Sequence, residues 1–194
     1  MLGNLQPGET LLCHAGGSGV GTAAIQMAHH IGAKVYFTAG SQDKIDRAMA
    51  LGADAGINYK TQDFAEEIKR LTNGEGVDVV EDFLGASYFA RNIASLKTNG
   101  RLVLVAMMGG SKTEVDLAQI QRKRLAVFGT TIRARPLAEK RRVTKRFLDR
   151  WMQPLAQGKL KAIIDSTYPM EKAADAHRRM DSNENFGKIL LEIP

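Results

Sequence analysis

Short, largely apolar runs alternate with longer amphipathic stretches along most of the chain, and the alternation predicts a regular order of elements. The runs Thr10 to His14, Lys34 to Thr38, Gly56 to Asn58, Val77 to Phe83, Arg101 to Ala106 and Leu125 to Gly129 have strand length and strand composition. Between them, apolar positions recur at helical spacing over Val20 to Ile31, Gln42 to Leu51, Asp63 to Leu71, Ser87 to Leu96 and Val115 to Gln121. Val77-Asp78-Val79-Val80 and Leu102-Val103-Leu104-Val105 are apolar at nearly every position, as strands are when both faces of their sheet are covered. The predicted fold class is therefore α/β: a doubly wound parallel sheet with helices on both faces.

The last part of the chain reads differently. Pro136 opens a long helix at a position where a missing N–H costs nothing, Val143, Phe147, Trp151 and Leu155 mark its apolar side, and Pro154 with Gly158 closes it. A Tyr168-Pro169 break precedes a short helix from Met170 to Met180, and Lys188 to Ile193 reads as a final strand. Glycine and proline fall singly between elements, without linkers or repeats. Residues 1–194 thus read as one unit with a C-terminal return segment over about residues 160–194.

The chemistry is concentrated in Ala15-Gly16-Gly17-Ser18-Gly19-Val20-Gly21, between the first strand and a helix whose Ala23, Ala24 and Ala28 keep its packing face small. Glycines there let the chain turn sharply, let backbone N–H groups approach a pyrophosphate and let the helix press on the sheet, while the helix N-terminus favours negative charge. This is the dinucleotide-binding turn of a Rossmann-type sheet, with one departure: Ser18 stands where the six-residue fingerprint has its second glycine. The end of the second strand is the next test, because an NAD site places an acid there for the ribose hydroxyls. Here the chain reads Thr38-Ala39-Gly40-Ser41-Gln42-Asp43-Lys44, with no acid at the strand tip. Ser41 and Lys44 suit a 2′-phosphate, so NADPH is the expected cofactor. Ser41 also reads as a helix N-cap and Lys44 as an exposed helical lysine, and both roles are compatible with a phosphate at that helix start. Asp43 could serve NAD if rotated toward the ribose, but inside the first helical turn it reads rather as an acid serving the helix dipole.

Composition narrows the alternatives. A chain of 194 residues with 44% apolar content can bury a core. No apolar run nears the ~20 residues that span a bilayer, and Met1-Leu2-Gly3-Asn4 lacks the features of a secretory signal. A cytoplasmic protein without a membrane partner is expected. Cys13 has no second cysteine to pair with, and beside His14 alone it falls short of a structural zinc site. No metal is expected. The net charge of +6 suits nucleic acid or a phosphorylated ligand equally. The densest basic residues, Lys140-Arg141-Arg142 and Lys145-Arg146, lie on the long helix and read as its solvated face, which disfavours nucleic acid. Glu81 and Asp82 are adjacent on a strand and point to opposite faces, so they do not form a catalytic pair. His177, beside Ala173, Ala174 and Met180, is expected to be packed and hydrogen-bonded rather than a general base.

The segment from His14 to Gln26 resembles the zinc-independent quinone oxidoreductase branch of the medium-chain dehydrogenase/reductase family, in which Ser18 is not a departure. The likeness continues through Thr38-Ala39-Gly40-Ser41, Leu51-Gly52-Ala53-Asp54, Ile57-Asn58-Tyr59-Lys60, Asp82-Phe83-Leu84-Gly85, Met107-Met108-Gly109-Gly110 and Asn185-Phe186-Gly187-Lys188-Ile189-Leu190. The resemblance implies hydride transfer from NADPH to a quinone or similar conjugated carbonyl, with no catalytic side chain of the protein required. It also implies a cofactor site made of Gly16, Gly17, Ser18, Gly19 and Val20 at the turn, and of Gly40, Ser41, Lys44 and Tyr59 around the adenosine ribose. Leu84 and Gly85 would pass along the dinucleotide, and Ala106, Met107, Met108, Thr131 and Ile132 would flank the nicotinamide. Phe186, Gly187 and Lys188 would supply a C-terminal contact. Tyr59 alone would read as a half-buried strand-end aromatic, the two methionines as core packing, and Gly187 as the start of the last strand.

In that family an irregular β domain of the chaperonin-ten type precedes the strand that matches Thr10 to His14 and shapes the quinone pocket. Leu5-Gln6-Pro7-Gly8-Glu9 resembles the turn that leads into the Rossmann core. The chain by itself is therefore expected to bind cofactor and turn over poorly. A homodimer paired along the strand Leu125 to Gly129 is also implied. The reading from another class is a non-catalytic module that senses NADPH or touches RNA through the Lys140 to Arg150 face.

Overall fold

A computed structural model describes residues 2–193. Its main sheet is built from β1 (Thr10–Cys13), β2 (Lys34–Ala39), β3 (Ala55–Asn58), β4 (Val77–Asp82), β5 (Leu96–Leu104) and β6 (Ala126–Gly129), in the spatial order β3-β2-β1-β4-β5-β6. Every pairing is parallel. Helices α1 (Gly19–His30), α2 (Gln42–Met49), α3 (Phe64–Leu71), α4 (Phe89–Ser95) and α5 (Leu117–Lys123) make the crossovers. This is the Rossmann-type doubly wound α/β fold that the apolar pattern predicts, and its strand order reverses between β1 and β4.

Two cores follow from the two faces. Leu11, Cys13, Val35, Phe37 and Val79 meet Ile25 and Ala28 of α1 and Ile45 and Ala48 of α2. On the other face Leu12, Tyr36, Val80 and Leu102 meet Phe64 and Ile68 of α3 and Ile93 of α4. Asp78, between Val77 and Val79 of β4, is buried but satisfied: it accepts the Thr10 N–H at 2.9 Å and pairs with Lys97.

Helix α6 (Leu137–Ala156) runs past Pro154 rather than closing at it. In the last turn that proline removes a single i to i−4 bond, and the chain leaves the helix at Gly158, whose φ is +69°. Trp151 is the one buried residue of α6, while Phe147, at the centre of the expected apolar stripe, is exposed. The strand β7 (Ile164–Pro169) was not expected. It pairs in parallel with β8 (Lys188–Glu192), across α7 (Ala173–Asp181), in a separate two-stranded sheet. Its run Asp165-Ser166-Thr167 carries no apolar pattern, which hid it; Asp165 instead holds this tail together. Its carboxylate accepts Nε and Nη2 of Arg179, the Phe186 N–H at 2.9 Å and the Ser166 hydroxyl. Burial raises the Asp165 carboxyl, and these donors outweigh it and bring it down to about 2. His177 is exposed; Ala176 is the residue of α7 that packs inward.

Among the described residues no helix is long and apolar enough to cross a membrane.

Candidate functional site

The carboxyl ends of the parallel strands form one edge, and the residues singled out from the sequence gather along it. β1 ends at Cys13, His14 follows it, Ala15 enters the left-handed region at φ +55°, and the glycine turn comes next. Ser18 takes the N-cap of α1 and accepts the Gly21 N–H at 2.9 Å, so the residue that breaks the fingerprint performs the capping. The N–H groups of Gly19 and Val20, in the first turn of α1, have no acceptor within the helix and face outward with the positive end of its dipole. A Cβ on Gly21 would run into the Ala15 carbonyl oxygen and stand 2.7 Å from the Gly16 Cα, so α1 lies directly against the turn.

At the end of β2, Ser41 caps α2 and accepts the Lys44 N–H. Tyr59 is 38% exposed, and a Cβ on Gly40 would stand 2.5 Å from its hydroxyl oxygen and 3.4 Å from Lys60 Cε. Asp43, in the first turn of α2, turns to Arg47 at 3.6 Å. The Lys44 ammonium donates to Asn183 O at 2.6 Å and Asn183 Oδ1 at 3.3 Å. Burial lowers its basicity, and the neighbouring cations Lys60, Arg179 and Arg47 lower it further, with Asp165 opposing them. Positive charge is thus crowded beside a helix N-terminus, which is where an anion would be stabilised.

The loops after β4 and β5 are stitched together. Met108 N–H donates to Phe83 O at 3.0 Å, Gly109 N–H to Leu84 O at 2.8 Å, and Ala86 N–H to Gly110 O at 2.8 Å. Asp82, wholly buried, accepts the N–H groups of Leu84 and Gly85 at 2.7 and 3.0 Å. Burial pushes its carboxyl up against the pull of these donors. Gly85 has φ +70°, and a Cβ there would come within 2.7 Å of the Gly110 carbonyl. Beyond the stitch, Val20, Met107, Met108 and Ile132 are exposed apolar side chains. Thr131 beside Ile132 is exposed too, and its carbonyl accepts Arg135 Nε at 2.7 Å. Val20, Val105, Thr130 and Ile132 line one end of a cleft of about 620 Å³ between α1, the sheet and α6. An apolar rim of this kind, beside backbone polar groups, suits one face of an aromatic ring.

The tail lies on the turn. Gly187 N–H donates to Gly17 O at 2.8 Å, and the Lys188 side chain crosses the bare face of Gly19. Phe186 is buried in the core with its ring under the Arg47 guanidinium at 4.3 Å, so its ring offers a ligand no open face. Ala106 is half-buried at the end of the β5 segment.

His14, Asp82, Lys60, Asn183 and Arg135 were not selected from the sequence. Asp82-Phe83-Leu84-Gly85 carries a signal that was available: an Asp two residues before an N–H it accepts. Lys60 had only its place after Tyr59. The other three depend on long-range contacts. His14 is fully buried, bonded to Thr38 Oγ1 at 3.0 Å and Asn92 Oδ1 at 2.7 Å, and burial lowers its basicity to about 4.

A family profile described as zinc-binding dehydrogenase matches residues 19–150. The chain belongs to this family. Its Rossmann-type fold is that of the cofactor-binding domains of medium-chain dehydrogenases/reductases. The 2-haloacrylate reductase of a Burkholderia species is 31% identical over 191 residues, 96% of this chain and 56% of that protein. The Escherichia coli quinone oxidoreductase in complex with NADPH has a TM-score of 0.84 at 30% identity, over 98% of this chain and 59% of that one. An NAD-dependent alcohol dehydrogenase has a TM-score of 0.82 at 36% identity, over 99% of this chain and 53% of that one. The chain thus spans little more than half the length of these relatives. Among the described residues no group of three or more His, Cys, Asp or Glu gathers where a metal ion would sit. The residues present do not make a zinc site, and no step below is routed through one.

Proposed function

We propose that this chain is the cofactor-holding part of a zinc-independent, NADPH-dependent reductase that passes hydride to quinones or similar conjugated carbonyls. The observation that carries the reading is the end of β2: Ser41, Lys44, Tyr59 and Lys60 converge there, and Asp43, in the first turn of the same helix, is paired with Arg47. A carboxylate in that place would bond ribose hydroxyls and repel a 2′-phosphate; cations and hydroxyls do the reverse. The glycine turn of the zinc-binding dehydrogenase fold fits a pyrophosphate, since the first N–H groups of α1 are free and the glycines let the turn lie tightly against Phe37, Lys188 and its own backbone.

The hydride is the cofactor's contribution, so this chain needs only to bind and orient. In this reading Gly16 to Val20 receive the pyrophosphate, and Leu84 and Gly85 lie along the dinucleotide. Ala106, Met107, Met108, Thr131 and Ile132 present backbone groups and apolar surface to the nicotinamide, so that one ring face is covered and the other turned to the acceptor. Phe186 backs the turn from the core while Gly187 and Lys188 close over it. The names of the quinone oxidoreductase and 2-haloacrylate reductase relatives support an electron-poor conjugated acceptor, and the NAD-dependent relative makes cofactor choice the point to test. β6 pairs only with β5 among the described strands, and a homodimer formed along its free edge belongs to the same proposal.

Calorimetric titration with NADPH and NADH tests the reading. NADPH is expected to bind at least about tenfold more tightly, and Lys44→Ala is expected to reduce that difference by taking away a charge-assisted bond. Equal affinities in the unsubstituted protein would refute it.

A further inference from the structure

Lys44 cannot give its whole charge to a ligand without rearrangement, because its ammonium already donates to both oxygens of Asn183. Lys60 is differently placed. It leaves the end of β3 directly after Tyr59, and its side chain reaches back across Gly40, with Cε 3.4 Å from where a Cβ would stand. Its backbone N–H is tied to Asn58 Oδ1 at 3.1 Å, which fixes the start of the side chain. Among the described residues no carboxylate lies within ion-pair distance of its ammonium, and it makes no side-chain hydrogen bond. Gly40 supplies the opening: any side chain there would collide with the Tyr59 hydroxyl and crowd Lys60.

We infer that Lys60 is a second anchor for the phosphate on the adenosine ribose, gripping it from the β3 side while Lys44 and Ser41 hold it from α2. This rests on the NADPH reading above and divides the specificity for the phosphorylated cofactor between two lysines on different elements. The mutual repulsion of the two cations, which contributes to the lowered basicity of Lys44, is relieved when a dianion enters between them. Lys60 is the cation with no protein partner to surrender, so it meets the phosphate first. Lys44 then exchanges Asn183 for it.

The test is titration of the full chain with NADPH and NADH at two salt concentrations, for the unsubstituted protein, Lys44→Met, Lys60→Met, Lys60→Arg and the double methionine variant. Lys60→Met is expected to weaken NADPH about fivefold, to leave NADH unchanged and to flatten the salt dependence of NADPH binding, with Lys60→Arg restoring most of the loss. Lys60→Met binding NADPH as the parent does, while Lys44→Met loses affinity, would overturn the inference and leave the NADPH reading standing. Equal weakening of both cofactors by Lys60→Met would overturn it as well, since a phosphate anchor cannot act on NADH. A parent protein without preference for NADPH would remove the NADPH reading itself, and this inference with it.

Discussion

Gly21→Ala is expected to abolish cofactor binding and to destabilise the fold by about 3 kcal/mol or more. The added methyl group meets the Ala15 carbonyl oxygen and the Gly16 Cα, which are backbone atoms of the same turn. No rotamer change can clear them, so α1 must move off the sheet, and overpacking of this kind costs about 1–3 kcal/mol even where side chains can yield. Displacing α1 also separates its first N–H groups from the turn, and with them the pyrophosphate site. Gly19→Ala is the control. Its methyl group would meet only the flexible methylenes of Lys188, so a shift of that side chain absorbs it with little loss of stability. Urea unfolding of both variants checks the contrast in stability, and NADPH titration of Gly21→Ala checks the loss of binding. A Gly21→Ala protein with parental stability and affinity would show that α1 does not bear on the turn as described.

Lowering the pH from 7 towards 4 is expected to withdraw up to about 3 kcal/mol of stability through His14 alone. Its folded-state value of about 4 lies below the ordinary 6.5 because burial disfavours the charged ring, with the nearby Arg91 cation adding to this and the Asn92 bond opposing it. The unfolded chain therefore takes up the proton first as pH falls. Stability from this residue is complete above about 6.5, declines between 6.5 and 4, and is level below; 2.5 pH units correspond to about 3 kcal/mol. Glu81 and Asp82, both raised by burial, carry the opposite sign and offset part of the loss. Asp165 contributes only below its unfolded value of 3.8, as pH falls towards its folded value of about 2. The difference between the parent and His14→Gln isolates the histidine, because the carboxylates cancel. Urea midpoints measured every half unit should converge as pH falls; parallel curves for the two proteins would refute the assignment.

His14 also bears on the site without touching it. Its bond to Thr38 ties the end of β1 to the end of β2, and its bond to Asn92 ties both to α4. The two strand ends that carry the glycine turn and Ser41 are thereby held in one register, which a ligand spanning both requires.

What could be read from the sequence is what short-range physics controls. Periodicity distinguishes a strand covered on both faces from a helix covered on one, so the six main strands and their crossover helices are legible, with ends off by a residue or a few, as where β5 begins at Leu96 rather than Arg101. The glycine turn is legible too, because close backbone approach excludes side chains wherever it occurs. The capping roles of Ser18 and Ser41 rest on bonds within three residues. Where a signal depended on partners far along the chain it was lost. β7 reads Ile164-Asp165-Ser166-Thr167-Tyr168-Pro169, without the apolar pattern of a covered strand, and only the arrival of Arg179 and the Phe186 N–H makes a buried carboxylate there favourable. Pro154 looked like a helix stop because its context in the last turn, where one lost bond is tolerated, is not written locally. Phe186 looked like a ligand contact, and its ring belongs to the core because the tail folds back onto the turn. The sequence by itself determined a glycine turn on a parallel sheet and no acid at the tip of the second strand. Tertiary structure alone decided which charges surround that place, because bringing Lys60 from β3 and Asn183 from the tail to Lys44 requires the sheet order and the return of the chain.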